Sequence, residues 1–97
     1  MTDELPDHVR RNRDDWDRSA PNWVAAGRFL WNAEEPLWGV WRAPEAQVEM
    51  LAGELDGVDA IELGCGTAYV SAWLARRGAR PVGIDISPAQ LATARQL

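Results

Sequence analysis

The 97-residue sequence has no lysine, a single cysteine and no long apolar run. Without a stretch near the roughly 18 apolar residues that a spanning helix needs, a membrane anchor is excluded. Cys65 alone cannot close an internal disulfide. The first residues include Asp3, Glu4 and Asp7 and no apolar core segment, so they do not read as a secretory signal. The expected address is the reducing cytoplasm. All ten basic residues are arginine, against fifteen acids, giving a net charge of -5 and a pI near 4.7. No basic field attracts a phosphate backbone, so neither nucleic acid nor a membrane is an expected partner, and no metal site is expected. A chain this short buries roughly 60 to 65% of its unfolded surface, which supports one modest core.

What is present divides into two parts. Residues 1–8 are polar, with Pro6 and no apolar periodicity, and are expected to be a disordered lead-in in which His8 is solvated. Residues 9–57 are expected to form a helical N-terminal cap. From Val9 to Ser19 Arg and Asp interleave, Asp14 stands four before Arg18, and Trp16 marks the expected buried side. Ser19-Ala20-Pro21 interrupts, because proline has no backbone N–H to donate inside a helix but suits its first turn. A second helix is predicted from Asn22 to Trp31, with Trp23, Gly27, Leu30 and Trp31 near one stripe. Asn32 to Ala43, broken by Pro36 and Gly39, reads as an irregular connection. Pro44 then opens a predicted helix carrying Val48, Leu51 and Leu55, closed by Asp56-Gly57.

The pattern changes at Val58, and residues 58–97 read as strand, helix, strand, helix. Ala60-Ile61-Glu62-Leu63 is a short strand running into Gly64-Cys65-Gly66, and helical spacing resumes with Val70, Trp73 and Leu74. Arg76 and Arg77 occupy the last turn, and Gly78 suits a left-handed cap. Pro81 to Ile86 is a second strand, and Ser87-Pro88 is a helix start. This is a βαβ unit of the nucleotide-binding kind. Gly64 and Gly66 let the backbone approach a ligand, and the helix after them aims free N–H groups at it. Asp85 stands 21 residues after Gly64, close to the spacing at which an acid reaches a ribose. Taken alone, Asp85 is equally a strand-end acid capping the next turn, and Glu62 an exposed strand residue. A dinucleotide fingerprint requires glycine or alanine at position 69, where this chain has Tyr69, so an NAD(P)-binding oxidoreductase is the lesser alternative.

The run Glu62-Leu63-Gly64-Cys65-Gly66-Thr67-Ala68, followed by Val82-Gly83-Ile84-Asp85-Ile86-Ser87-Pro88, resembles the first two motifs of class I S-adenosylmethionine-dependent methyltransferases. More loosely, Trp16-Asp17 and Pro21 resemble elements that precede the core in small-molecule members. The resemblance implies an α/β, Rossmann-like doubly wound sheet, truncated here after the second strand and its following helix, with a helical N-terminal extension. It implies S-adenosyl-L-methionine as cofactor and methyl transfer to a small-molecule acceptor. Glu62 would hold the loop and help place the methionine amino group. Gly64, Cys65 and Gly66 would line the amino-acid and ribose side, Asp85 would take the ribose hydroxyls, and Ile86 would pack on adenine. Ala68 departs from the commoner third glycine. No catalytic base is named, and a truncated fragment that binds the cofactor without turnover is a further alternative.

Two bland readings stand beside these. Cys65 has no sequence neighbour that would activate it as a nucleophile, so it is expected to be a small residue in a tight turn. The five tryptophans from Trp16 to Trp41 are expected to be chiefly core; if any form an aromatic box around a sulfonium, the loop-borne Trp38 and Trp41 are the candidates.

Overall fold

A computed structural model describes residues 4–51 and 53–97. Helix α1 spans Asp7–Ser19, two residues earlier than expected, so Asp7 and His8 belong to it; residues 1–3 of the expected lead-in lie outside the described residues. No residue of α1 is buried, and Trp16 is 43% exposed rather than marking a buried side. Arg18 pairs with Asp15 at 3.0 Å, not with Asp14, so the ionic support comes from the three-residue spacing. A 3₁₀ turn, Ala20–Trp23, then forms around Pro21 and leads into α2, Val24–Asn32.

The following segment is not wholly helical. Two short antiparallel strands, β1 Leu37–Trp38 and β2 Ala43–Pro44, form a small hairpin whose tip leaves Trp41 92% exposed. Helix α3, Glu45–Val48, stops far short of Asp56-Gly57. The cause is Glu45 itself. Its buried carboxylate accepts hydrogen bonds from the backbone N–H groups of Met50 (2.7 Å) and Leu51 (2.8 Å), donors a longer helix would have spent on its own carbonyls. Glu49 meanwhile turns left-handed at φ 54°.

The second part follows the expected order. Strand β3, Asp59–Leu63, runs parallel to β4, Arg80–Ile84, in the register Asp59–Arg80 to Leu63–Ile84. Between them α4, Tyr69–Arg76, crosses over and packs on the sheet, and α5, Pro88–Gln96, follows. Gly78, at φ 88°, closes α4, while Ser87 Oγ accepts from Gln90 N at 3.2 Å and caps α5. The ladder ends at Ile84 rather than Ile86, because the Asp85 carboxylate draws the chain into a turn by accepting from Ser87 N at 2.8 Å. One face of the sheet carries α4; the other leaves Ile61, Leu63, Val82 and Ile84 exposed. Among the described residues no helix is long and apolar enough to cross a membrane.

Candidate cofactor-binding site

The glycine loop lies where the parallel strands end. Cys65 N donates to Ile84 O at 2.9 Å, which carries the pairing two residues past β3 and brings the loop beside Asp85. Gly66 N donates to Asp85 Oδ2 at 2.8 Å, so this carboxylate clips the loop to the end of β4 while its other oxygen holds Ser87. At the opposite end Glu62 Oε1 accepts from both Ser71 N (2.9 Å) and Ser71 Oγ (2.8 Å), fixing the first turn of α4. The two acids therefore bracket the loop, and each spends part of its bonding capacity holding it.

The loop backbone is bare. Gly64 and Gly66 have φ of 65° and 56°, and a Cβ built on either would meet nothing within 4 Å. That open space belongs to a cleft with two recesses. One, of about 520 Å³, is lined by Gly64, Gly66, Ile84, Asp85, Ile86, Asn12, Trp16 and Gln90. The other, of about 240 Å³, is lined by Glu62 and the same loop, with Trp16, Trp23, Gly27, Leu30 and Tyr69 opposite. All six residues singled out from the sequence, Glu62, Gly64, Cys65, Gly66, Asp85 and Ile86, line this cleft.

Cys65 is buried, and its thiol is pushed up by desolvation and by the negative charges of Glu62 and Asp85. Among the described residues no side chain beside it favours the thiolate, so nothing here activates it as a nucleophile. Ala68, at φ 65° and ψ 30°, holds the left-handed conformation that glycine adopts without strain. Tyr69 lies on the side of α4 against Trp73, ring centroids 5.0 Å apart, and reaches the recess.

Several contributors carry little sequence signal. Gly27 of α2 is buried against Thr67, where a Cβ would come within 2.7 Å of Oγ1, so only glycine lets α2 lie directly on the loop. Trp31 Nε1 donates to Thr67 O at 2.6 Å and Trp73 Nε1 to Leu30 O at 2.8 Å, riveting α2 to the βαβ unit. Arg76 donates to Trp31 O and Ala33 O, so it serves the end of α2 rather than only the end of its own helix. Asp17 of α1 accepts from Ser87 Oγ and from Ala89 N at 3.2 Å, reaching across to the start of α5. The hydrogen bonds from Ser87 and Ala89 hold its carboxyl below the usual carboxylate range. The five tryptophans from Trp16 to Trp41 are not chiefly core, since Trp16, Trp23 and Trp41 are exposed and none is fully buried, and the candidates for an aromatic box change as well. Trp38 stacks edge-on to Trp73 at 5.4 Å and donates to Glu45, Trp41 stands in solvent, and Trp16 and Trp23 are the ones that line the cleft.

A parallel βαβ unit with a bare glycine loop between two bracketing acids is the arrangement of a Rossmann-like fold. The family described as methyltransferase domain matches residues 60–97. The chain is 34% identical over 98 residues to a ubiquinone biosynthesis O-methyltransferase of Alkalilimnicola ehrlichii, an alignment covering 98% of this chain and 39% of that protein. It is 38% identical over 48 residues to a ubiquinone biosynthesis O-methyltransferase of Leptothrix cholodnii, covering 50% of this chain and 20% of that protein. The resemblance to class I S-adenosylmethionine-dependent methyltransferases is thus supported over residues 60–97, which match the methyltransferase-domain family. The chain spans about two fifths of the first relative's length and one fifth of the second's. No solved structure matches.

Proposed function

We propose that this chain forms the cofactor-binding part of an S-adenosylmethionine-dependent methyltransferase acting on a small molecule in the cytoplasm. The observation that carries this reading is the bare Gly64–Gly66 backbone facing a cleft with Glu62 at one end and Asp85 at the other. A Cβ at either glycine would project into that space, so the loop is shaped for the close approach of a ligand. Glu62, whose Oε2 is not engaged by Ser71, would hold the methionine ammonium; Asp85 would accept from the ribose hydroxyls; Ile86 would cover adenine. Gly64, Cys65 and Gly66 would offer backbone between them.

When bound, the cofactor supplies an electrophilic methyl group on a positive sulfur. The protein's share is positional: the two acids would fix the ends of the ligand, the loop its middle, and α1 and α2 wall the cleft on one side. The relatives' O-methyl transfer makes hydroxyl-bearing small molecules the first acceptors to test.

The test is a thermal melt of the chain with S-adenosylhomocysteine or NAD, because a ligand that binds only the folded state raises the midpoint. A midpoint raised by S-adenosylhomocysteine and not by NAD is expected. A shift with NAD alone, or with neither, would overturn the proposal. Transfer of labelled methyl to a panel of phenols and quinols then tests the acceptor class.

A further inference from the structure

Building on that reading, we infer that Trp16, backed by Trp23 and assisted by Gln90, is the contact for the positive sulfur and lets the site favour the charged methyl donor over its neutral product. The sulfur of S-adenosylmethionine joins the methionine chain to the ribose, so it lies where the two ends of the site meet. The recess containing Glu62 and the recess containing Asp85 share four lining residues, Trp16, Gly64, Gly66 and Gln90. The glycines offer only backbone. Trp16 is the one aromatic side chain among the four.

Its setting agrees. Although α1 buries nothing, Asp17 beside Trp16 is tied to Ser87 and Ala89, which holds this turn of the helix over the cleft. Trp23 stands behind it, ring centroids 6.3 Å apart and planes tilted by 47°. An indole presents a negative face that attracts a cation within about 6 Å of its centre. Gln90 is 4% exposed, and its Oε1 has no hydrogen-bond partner. Sealed from water, that oxygen acts on a charge in the cleft through its dipole and not by contact. Loss of the methyl group leaves a neutral thioether, which keeps the dispersion and sulfur–aromatic contact with the indole but loses the cationic part of the attraction, so that part belongs to the donor alone.

Calorimetric titration of the chain with S-adenosylmethionine and with S-adenosylhomocysteine separates the possibilities, using Trp16→Leu, Trp16→Phe and Gln90→Met. Trp16→Leu is expected to weaken the donor about 3- to 30-fold and the product by clearly less, with Trp16→Phe recovering part of the donor's loss. Equal weakening of both ligands would overturn the inference and reduce Trp16 to a wall of the cleft. Unchanged donor affinity would overturn it as well. Should Trp16→Leu not fold, selective loss of donor in Trp16→Phe or Gln90→Met supports the inference, and its absence in both defeats it. A parent chain that binds neither ligand would instead overturn the proposed function, a result visible before any variant is compared.

Discussion

At the scale of single residues, Asp85 has two tasks. It holds Gly66 N and Ser87 N from its own chain and faces the larger recess. Asp85→Ala should therefore weaken S-adenosylhomocysteine by about 1.5–3 kcal/mol, through loss of a charged acceptor. It should also lower the melting midpoint of the free chain, because the loop loses its clip. Unchanged affinity in a folded variant would remove Asp85 from the site. Ala68 makes the opposite case. Its left-handed backbone costs an alanine about 1–2 kcal/mol, part of which glycine returns as greater freedom in the unfolded chain. Ala68→Gly should raise stability by about 0.5–1 kcal/mol in a denaturant titration, with no loss of ligand affinity; destabilisation would show that the alanine methyl packs usefully. The acids and glycines of this site were legible because their spacing reflects local geometry, a strand, a turn and a helix. Glu45 was not, because its carboxylate serves Trp38, Met50 and Leu51 through a fold-dependent bend.

Among the elements, the contact of α2 with the loop and of α1 with α5 decides how the cleft closes. Gly27→Ala would put a methyl within 2.7 Å of Thr67 Oγ1 and 2.9 Å of its Cβ, and α2 cannot retreat without straining the Trp31–Thr67 hydrogen bond. Overpacking of this kind costs about 1–3 kcal/mol, despite alanine's better helix propensity, and a chemical melt will read it. A more stable variant would mean that α2 does not rest on the loop. The α1–α5 link is sensitive to pH. Because the carboxyl of Asp17 is held below its ordinary value, the unfolded chain binds its proton more readily than the folded chain does. Its stabilising contribution is therefore complete above the ordinary carboxylate range near pH 4 and is lost as pH falls through the lowered folded value. Asp17→Asn should lower the midpoint at neutral pH and flatten the acid limb of the stability profile; an unaltered acid limb would place the dependence on other carboxylates. The resemblance marked Trp16-Asp17, but the Arg/Asp alternation of residues 10–18 gives Asp17 no such role, since its partner Ser87 stands 70 positions away.

Over the whole molecule the core is thin. The buried apolar residues among those described are Ala20, Cys65, Ala72, Trp73 and Ala79, and the Cα radius of gyration is 14.7 Å, above the roughly 13 Å of a tightly packed chain of this length. Across the sheet face opposite α4, Leu63 is 73% exposed, with Ile61, Val82 and Ile84 beside it. A contiguous apolar face of this sort binds hydrophobic dyes. The chain should brighten anilinonaphthalene sulfonate under native conditions, and Ile61→Thr with Val82→Thr should reduce that signal while keeping β-branched residues in the strands. An undiminished signal would locate the exposed apolar surface elsewhere, the Val40–Trp41 hairpin tip being the next place to substitute.

The sequence by itself determined what depends on near neighbours. The strand–loop–helix–strand order, the caps at Gly78 and Ser87 and the two acids bracketing the glycines follow from propensity, backbone conformation and short-range spacing. Only the tertiary structure decided which distant side chains close the cleft. Gly27 against Thr67, Asp17 against Ser87, and Trp16 rather than Trp38 or Trp41 on the cleft are set by how α1 and α2 dock on the βαβ unit. Docking depends on shape and hydrogen-bond complementarity between surfaces far apart in the chain, and hydrophobic periodicity within either segment carries no record of it.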